Sequence, residues 1–366
     1  MECAGTSLSS TEYIRAFNEK TSRLRIPVSG SLDLTHQCNL RCVHCYLGEG
    51  PERVKLRVDE MSTEEILRVI DEITEAGCLF LVITGGEPTM REDFTEIYRH
   101  AKEKGLLVTV FTNGTLITDE ILGLFEDLPP HAVEISVYGA TPETYERITG
   151  VSGSYERCMR GIRRLLGRRI NVRLKTVLMT LNNHEFYDIE NMAKEFGVRF
   201  HFDAAIFPCV SGVKAPLDLR VPPEEAIEKE FSDSERLRLW KEYFERSRGE
   251  TPSEMLYECG AGRNGFHIDP YGNLMPCLMT TKVKYDLLKG DFLTGWAGAV
   301  AGIRGKRAGD VGCNTCEKRF LCSFCPPFFE LENGFEHVRS EYLCALGNYR
   351  LRALTNAEIQ GVKHGA

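Results

Sequence analysis

The chain has 366 residues, of which 42% are hydrophobic and 27% charged, an ordinary balance for a folded globular protein that excludes intrinsic disorder. Its 45 basic and 53 acidic residues leave a net charge of -8, the wrong sign for a general nucleic-acid binder. The sequence starts without a secretory signal and has no apolar run that spans a bilayer. We therefore expect a cytoplasmic protein with neither nucleic acid nor membrane as a partner.

Between residues 28 and 207, short apolar runs alternate with amphipathic stretches, a pattern typical of strand–helix units around a parallel sheet. Ser62 with Glu65 forms a predicted capping box, and Thr141 is a predicted helix cap before Pro142. Six strands are predicted: Gly30–Thr35, Leu79–Thr84, Leu107–Thr112, Ala132–Val137, Val172–Met179 and Phe200–Phe207. Right-handed connections would curl them into an α/β fold, a partial (β/α)6 TIM-like barrel, with its site at the carboxyl ends of the strands.

The composition changes twice along the chain. A charged, helical bridge follows the predicted barrel, and a region rich in cysteine and glycine follows the bridge, as expected of a small metal-held domain. The predicted organisation is an N-terminal extension at 1–27, the barrel at 28–209, the bridge at 210–254, a cysteine-rich domain at 255–350 and a tail at 351–366.

Three cysteines, Cys38, Cys42 and Cys45, follow the first predicted strand. Fourteen cysteines in a chain without a secretory signal favour metal binding over disulfides. Three thiolates can hold three irons of a cubane cluster and leave the fourth iron open. The alternative is zinc, with His36 or His44 as the fourth ligand. Taken alone, the three cysteines leave both interpretations open.

The Cys-x3-Cys-x2-Cys spacing, together with Gly-Gly-Glu-Pro after the second strand, resembles the radical S-adenosylmethionine (SAM) superfamily over residues 30 to about 207. The resemblance implies that the three cysteines hold a [4Fe-4S] cluster whose open iron binds SAM. Reductive cleavage of SAM then yields methionine and a 5'-deoxyadenosyl radical. The family usually has an aromatic residue before the third cysteine, where this chain has His44.

Seven further residues are candidates for binding SAM. Gly85 and Gly86 lack side chains, so their backbone can approach a ligand and accept a hydrogen bond from the SAM ammonium, and Glu87 is a nearby anionic acceptor. Thr112, Asn113 and Ser136 are similar to family positions that contact the SAM carboxylate or ribose. Lys175, in the fifth strand, is a candidate of the same kind.

A second group of seven cysteines exceeds one tetrahedral shell and implies two metal centres. Its members are Cys259, Cys277, Cys313, Cys316, Cys322, Cys325 and Cys344. The spacing resembles the SPASM extension, an auxiliary-cluster domain found after some radical SAM barrels, although the last gap is two residues instead of the more common three. A zinc ribbon made by the four cysteines from 313 to 325 is the alternative, and it leaves three thiols unused.

The resemblance to SPASM implies two auxiliary [4Fe-4S] clusters, and hence three clusters in the chain. Cys313, Cys316, Cys322 and Cys344 would hold one auxiliary cluster, and Cys259, Cys277 and Cys325 the other. The fourth ligand position of the auxiliary cluster held by Cys259, Cys277 and Cys325 is open to a substrate thiolate, or to water, a backbone group or another side chain. Cys209, just past the sixth strand, is a candidate hydrogen donor, or else a plain loop residue.

The resemblance implies an enzyme that modifies a peptide or small protein, such as a maturase forming a crosslink or thioether in a ribosomally made peptide. We expect reduced flavodoxin or ferredoxin as the electron donor. About 27 residues precede the first strand, too few for a winged leader-binding domain, so a separate recognition protein or a leaderless substrate is implied. Leu278 stands where sulfatase maturases have aspartate, which disfavours that activity.

Two alternatives remain. One is a tetrapyrrole side-chain enzyme of the haem-synthesis type, which uses similar cluster domains. The other is a non-catalytic electron-transfer protein or zinc scaffold, which the Gly85-Gly86-Glu87 motif disfavours.

Overall fold

A computed structural model describes residues 10–48, 59–249, 253–309, 312–313 and 315–363. These residues form nine strands: β1 Ser29–Thr35, β2 Phe80–Gly85, β3 Leu107–Thr112, β4 Ala132–Ser136, β5 Val172–Val177, β6 Arg199–Asp203, β7 Gly265–Ile268, β8 Asn273–Met275 and β9 Tyr285–Asp286. Their first eight α-helices are α1 Ser10–Leu24, α2 Thr63–Glu75, α3 Phe94–Glu103, α4 Asp119–Asp127, α5 Pro142–Thr149, α6 Ser154–Gly167, α7 Phe186–Glu195 and α8 Pro223–Phe231. The other four are α9 Ser234–Ser247, α10 Phe292–Gly295, α11 Pro326–Asn333 and α12 Glu341–Lys363.

One mixed sheet organises the molecule, in the order β6-β5-β4-β3-β2-β1-β7-β8-β9. The pairs from β1 to β6 are all parallel, and each strand is connected to the next through at least one helix. This confirms the predicted α/β class and the partial (β/α)6 barrel. Parallel strands place their carboxyl ends along one edge, where the loops after β1 to β4 meet.

Along each strand, successive side chains point to opposite faces of the sheet. Leu32 and Leu34 of β1 belong to the main hydrophobic core, which also contains Ile66, Val69 and Ile70 of α2. Helix α2 begins with the predicted capping box, because the Ser62 side chain accepts from the backbone N–H of Glu65 and the Glu65 side chain accepts from Ser62. Helix α5 likewise begins with the predicted Thr141 cap.

Strand β6 ends earlier than predicted. The prediction ran to Phe207, whereas the strand stops at Asp203. The Asp203 carboxylate accepts a hydrogen bond of 2.7 Å from the backbone N–H of Ala205, which turns the chain away from the sheet. Phe207 then packs against Phe328 of α11, with ring centroids 6.1 Å apart.

The cysteine-rich region continues the barrel sheet. Strand β7 pairs with β1 in parallel, with Gly30 opposite Phe266, and β8 and β9 extend the sheet in antiparallel fashion. The Phe266 ring fills the space that a side chain at position 30 would need, because a Cβ there would lie 2.1 Å from the ring. Helix α12 runs without interruption across the boundary predicted at residue 350. None of the helices in the described ranges is long and apolar enough to cross a membrane.

Candidate active site

The loop after β1 carries Cys38, Cys42 and Cys45, all half-buried. The loop is held against the end of α5, because the backbone N–H groups of Arg41 and Val43 donate to the carbonyls of Thr149 and Ile148, at 2.8 and 3.0 Å. The N–H of Cys45 donates to the carbonyl of Cys42 at 3.1 Å, so the second and third cysteines share a turn.

Tyr138, just after β4, lies beside all three cysteines. Burial raises the pKa of its phenol well above the ordinary value, and electrostatic interaction with Cys42, Cys45 and Cys38 raises this pKa further. Its ring packs edge-on against His44, with the ring centroids 4.5 Å apart. Burial lowers the pKa of His44 to about 4, so its imidazole is neutral at physiological pH. The sequence reasoning did not find Tyr138, although its place two residues after Ser136 at a strand end was a usable signal.

The loop after β2 packs directly on the cysteine loop. The N–H of Gly86 donates to the carbonyl of Thr35, and the N–H of Glu87 donates to that of Gln37, both at 2.8 Å. A Cβ at Gly86 would lie 2.2 Å from the Gln37 oxygen, and Gly85 has a φ of +123°, which disfavours any side chain. Both glycines are therefore required by contact between two backbones. Their contact with SAM stays a prediction.

Glu87 is fully buried and connects two strand ends. Its carboxylate accepts hydrogen bonds of 2.7 Å from the Thr112 hydroxyl and from the backbone N–H of Asn113, and it also accepts from Thr89. Burial raises its pKa, whereas these hydrogen bonds act in the opposite direction. The carboxylate thus holds the loop after β3 against the loop after β2, a role that the sequence reasoning did not foresee.

Asn113 connects the loop after β3 to the cysteine loop. Its side-chain amide donates to the Asn39 carbonyl oxygen at 2.8 Å and lies 3.9 Å from the Cys38 sulfur. The Asn39 amide donates in turn to the Thr115 hydroxyl at 2.8 Å. Ser136 lies at the end of β4, half-buried, where its side chain is hydrogen-bonded to Tyr138. The predicted residues from strands β1 to β4 therefore lie at one edge of the sheet.

Cys209 is buried against the same loop. Its thiol donates to the carbonyl of Cys45 at 3.4 Å, and the N–H of Val210 donates to the carbonyl of Tyr46 at 2.8 Å. The segment after β6 is therefore placed beside the third cysteine. A role for Cys209 as a hydrogen donor stays a prediction.

The C-terminal cysteines fall into two spatial groups. Burial, together with the nearby Cys313, Cys316 and Cys344, raises the pKa of Cys322 to about 12. Burial likewise raises the pKa of Cys325 to about 12, with further contributions from Cys277 and Cys259. These are the two sets that the SPASM spacing implies.

Their metal ligation stays a prediction. Among the residues in the described ranges, no group of three or more His, Cys, Asp and Glu side chains is arranged to hold a single metal ion. His36, which was an alternative zinc ligand, has its Nε2 atom 3.4 Å from the Asp33 carboxylate and its Nδ1 atom 3.4 Å from the Tyr271 hydroxyl.

Comparison with known proteins identifies the barrel. Residues 32–196 match the Radical SAM superfamily. The chain contains a radical SAM domain. Proteins of this superfamily use SAM and a [4Fe-4S] cluster, and the cysteine-rich C-terminal part of this radical SAM protein fits the SPASM extension that its spacing resembles.

The chain is similar in sequence to two characterised relatives and in fold to a solved structure. The chain is 27% identical to an AdoMet-dependent heme synthase of Methanosarcina barkeri over 325 residues, covering 80% of this chain and 89% of that protein. It is 27% identical to the PqqA peptide cyclase of Rhodopseudomonas palustris over 265 residues, covering 69% of this chain and 67% of the cyclase. The fold is similar to that of Streptococcus suis SuiB bound to precursor peptide SuiA, with a TM-score of 0.70 and 18% identity over 94% of this chain and 83% of SuiB.

Proposed function

We propose that this radical SAM enzyme modifies a ribosomally made peptide, forming a crosslink, a thioether or a related bond. The observation that carries the proposal is the association of the three-cysteine loop after β1 with two further cysteine groups in a chain related to a peptide cyclase. We further propose flavodoxin or ferredoxin as the reductant, and a separate protein that recognises the peptide leader.

The donor set fits an iron–sulfur cluster. Cys38, Cys42 and Cys45 are soft thiol ligands within one loop, and a cubane cluster held by three thiolates keeps one iron for another ligand. Cys313, Cys316, Cys322 and Cys344 would hold a second cluster, and Cys259, Cys277 and Cys325 a third. When bound, SAM and its cluster supply hydrogen-atom abstraction from an unactivated carbon.

The residues of the chain position and shield this chemistry. Gly85, Gly86, Thr112, Asn113 and Ser136 would line the SAM site at the carboxyl ends of β2, β3 and β4. Glu87 holds two of the surrounding loops together through Thr112 and Asn113. The buried thiol of Cys209 would be available beside the third cysteine as a hydrogen donor.

The test is anaerobic incubation of the iron-reconstituted protein with SAM, dithionite and the peptide encoded beside the gene. We expect 5'-deoxyadenosine, together with a peptide that has lost two hydrogens. A Cys42→Ala variant should make neither product, whereas replacing Cys78, a buried cysteine outside the three groups, should leave both. Failure of every neighbouring peptide to change in mass would contradict the maturase proposal.

Tetrapyrrole side-chain modification is the second candidate. It is favoured by the heme synthase relative, which aligns with 80% of this chain and is itself covered to 89%. The same incubation with a porphyrin in place of the peptide separates the two functions. Deoxyadenosine formation that rises with the porphyrin, and does not rise with the peptide, would favour this candidate.

A further inference from the structure

The concave face of the barrel carries positive charge on β5. Val172 and Leu174 of this strand belong to the main core, on the helix-covered side of the sheet. Because successive side chains point to opposite faces, Arg173 and Lys175 lie on the concave side. Both are half-buried, and Arg173 pairs with Glu134 of β4 at 3.3 Å.

The neighbouring strand β6 adds an arginine, a histidine and, at its carboxyl end, one carboxylate to this face. Phe200 and Phe202 pack against Phe186 of α7, with ring centroids 6.0 and 4.8 Å away. Arg199, His201 and Asp203 therefore lie on the concave face, where all three are exposed.

The strand register places two arginines side by side. Arg173 is directly opposite Arg199, and Lys175 is directly opposite His201. Like charges at directly opposite positions destabilise a sheet, so the pair of Arg173 and Arg199 is unfavourable unless an anion joins it. Among the described residues, Glu134 pairs with this group through Arg173, and the Asp203 carboxylate on the same face accepts a hydrogen bond from the backbone N–H of Ala205.

Lys175 is the cation that most needs a partner. Its amine lies 3.0 Å from the centroid of the Phe111 ring, and within the described parts of the chain it forms no ion pair within 4.0 Å. A charged amine withdrawn from water is costly unless a counter-charge is present. Burial lowers its pKa to about 7, although Glu134 acts to raise it, and an incoming carboxylate would restore the full charge.

The place of this amine suggests what the counter-charge is. Lys175 is paired through its Cα with Ser136 on β4, so it faces the barrel interior at the level of the proposed SAM contact. A molecule that reacts there has to enter the same interior.

We propose that the concave face of β5 and β6 binds a carboxylate of the peptide substrate, from an Asp or Glu side chain, through Lys175 with support from Arg199 and His201. This inference rests on the proposed function, because it assumes that the ligand of the barrel is a peptide. SAM also has a carboxylate, so the test distinguishes the two sources.

The first experiment measures acetylation of single lysines by mass spectrometry at neutral pH, with Lys241 on the exposed side of α9 as the internal reference. The probes are N-acetylglutamate α-amide, its neutral glutamine analogue and SAM. We expect the glutamate probe to slow acetylation of Lys175 about fivefold or more relative to Lys241, because pairing keeps the amine charged and covered, and the glutamine probe to have no effect. Equal effects of the two probes, or protection by SAM alone, would overturn the proposal.

The second experiment covers the case in which Lys175 is too enclosed to react. Thermal unfolding is measured with and without the glutamate probe in wild type, Lys175→Met, Lys175→Arg and the matched control Lys241→Met. The upward shift in Tm should be lost in Lys175→Met and kept in Lys175→Arg and Lys241→Met. A shift that persists in Lys175→Met contradicts the proposal. Neither experiment requires SAM cleavage, so absence of deoxyadenosine would contradict the proposed function without touching these results.

Discussion

Glu87 shows how one buried carboxylate can organise the candidate site. It accepts hydrogen bonds from Thr89, Thr112 and Asn113, so Glu87→Ala leaves several buried donors without partners. We expect the free energy of unfolding to fall by about 3 kcal/mol, because each unsatisfied buried donor costs about 1 to 3 kcal/mol. Urea denaturation measures the change. The exposed neighbour Glu92 provides the control variant Glu92→Ala, and equal midpoints for the two variants would show that the Glu87 hydrogen bonds are not needed.

Lys175 gives the stability of the protein a pH dependence. Its pKa falls from 10.5 to about 7 on folding, so between these values the unfolded chain binds more protons and stability rises with pH. Below about pH 7 the destabilising contribution is fully present. Lys175→Met should therefore stabilise the protein most below neutral pH, by about 1 to 2 kcal/mol after discounting for partial exposure. Tm measured for both proteins across this pH range tests the sign, and a gain that grew toward alkaline pH would refute it.

At the scale of elements, the contact between the loops after β1 and β2 can be disrupted by one methyl group. A Cβ at Gly86 would lie 2.2 Å from the carbonyl oxygen of Gln37, one residue before Cys38. We expect Gly86→Ala to displace the cysteine loop and to lower iron content after reconstitution by about four atoms per chain, the content of one cubane cluster. Iron analysis with electron paramagnetic resonance measures the loss.

The control for this prediction is Gly123→Ala in α4. A Cβ at Gly123 would meet nothing within 4 Å, and alanine favours helix formation. This variant should retain the full iron content. Full retention by Gly86→Ala as well would mean that the loop can relax around the added methyl group.

Local patterns predicted the elements of the barrel well. The alternating apolar runs predicted β3 from Leu107 to Thr112 with both ends correct, because buried and less buried side chains alternate regularly along this strand. The length of β6 was overestimated, since the apolar residues after Asp203 continue into a different hydrophobic cluster. The periodicity of apolar residues indicates which residues are buried, but it does not indicate which helix or strand covers them.

Contacts between distant residues were the part that sequence could not supply. Glu87 is predicted to contact SAM because it follows two glycines, and that contact stays a prediction. The local pattern did not indicate that its carboxylate also accepts a hydrogen bond from the backbone N–H of Asn113, 26 positions away. The pairing of β7 with β1 joins residues more than 230 positions apart, as in the contact between Ser31 and His267. The two C-terminal cysteine groups were predicted from the resemblance of their spacing to a known family. Whether they hold clusters stays a prediction.

At the scale of the whole molecule, Phe266 connects the barrel to the cysteine-rich region. It is only 4% exposed, fills the space above Gly30 and packs on Phe292 and Trp296. Phe266→Ala should lower the free energy of unfolding by about 3 to 5 kcal/mol through loss of a buried aromatic ring. We expect the temperature at which the helical circular-dichroism signal is lost and the temperature at which cluster absorbance is lost to fall together.

Phe335→Ala serves as the control, because that ring is 59% exposed. This variant should leave the temperatures of both thermal transitions, in helix signal and in cluster absorbance, unchanged. A shift of the helix signal alone in Phe266→Ala would show that the two regions unfold independently.

The pairing of Gly30 with Phe266 also limits how such enzymes can be recombined. A chimaera that joins this barrel to the C-terminal half of a relative inherits a new residue opposite position 30. A large side chain on both strands would collide, and a small one on both would leave a void beneath the first strand. Grafts should therefore exchange these two positions as a unit, whichever peptide or porphyrin the hybrid is meant to transform.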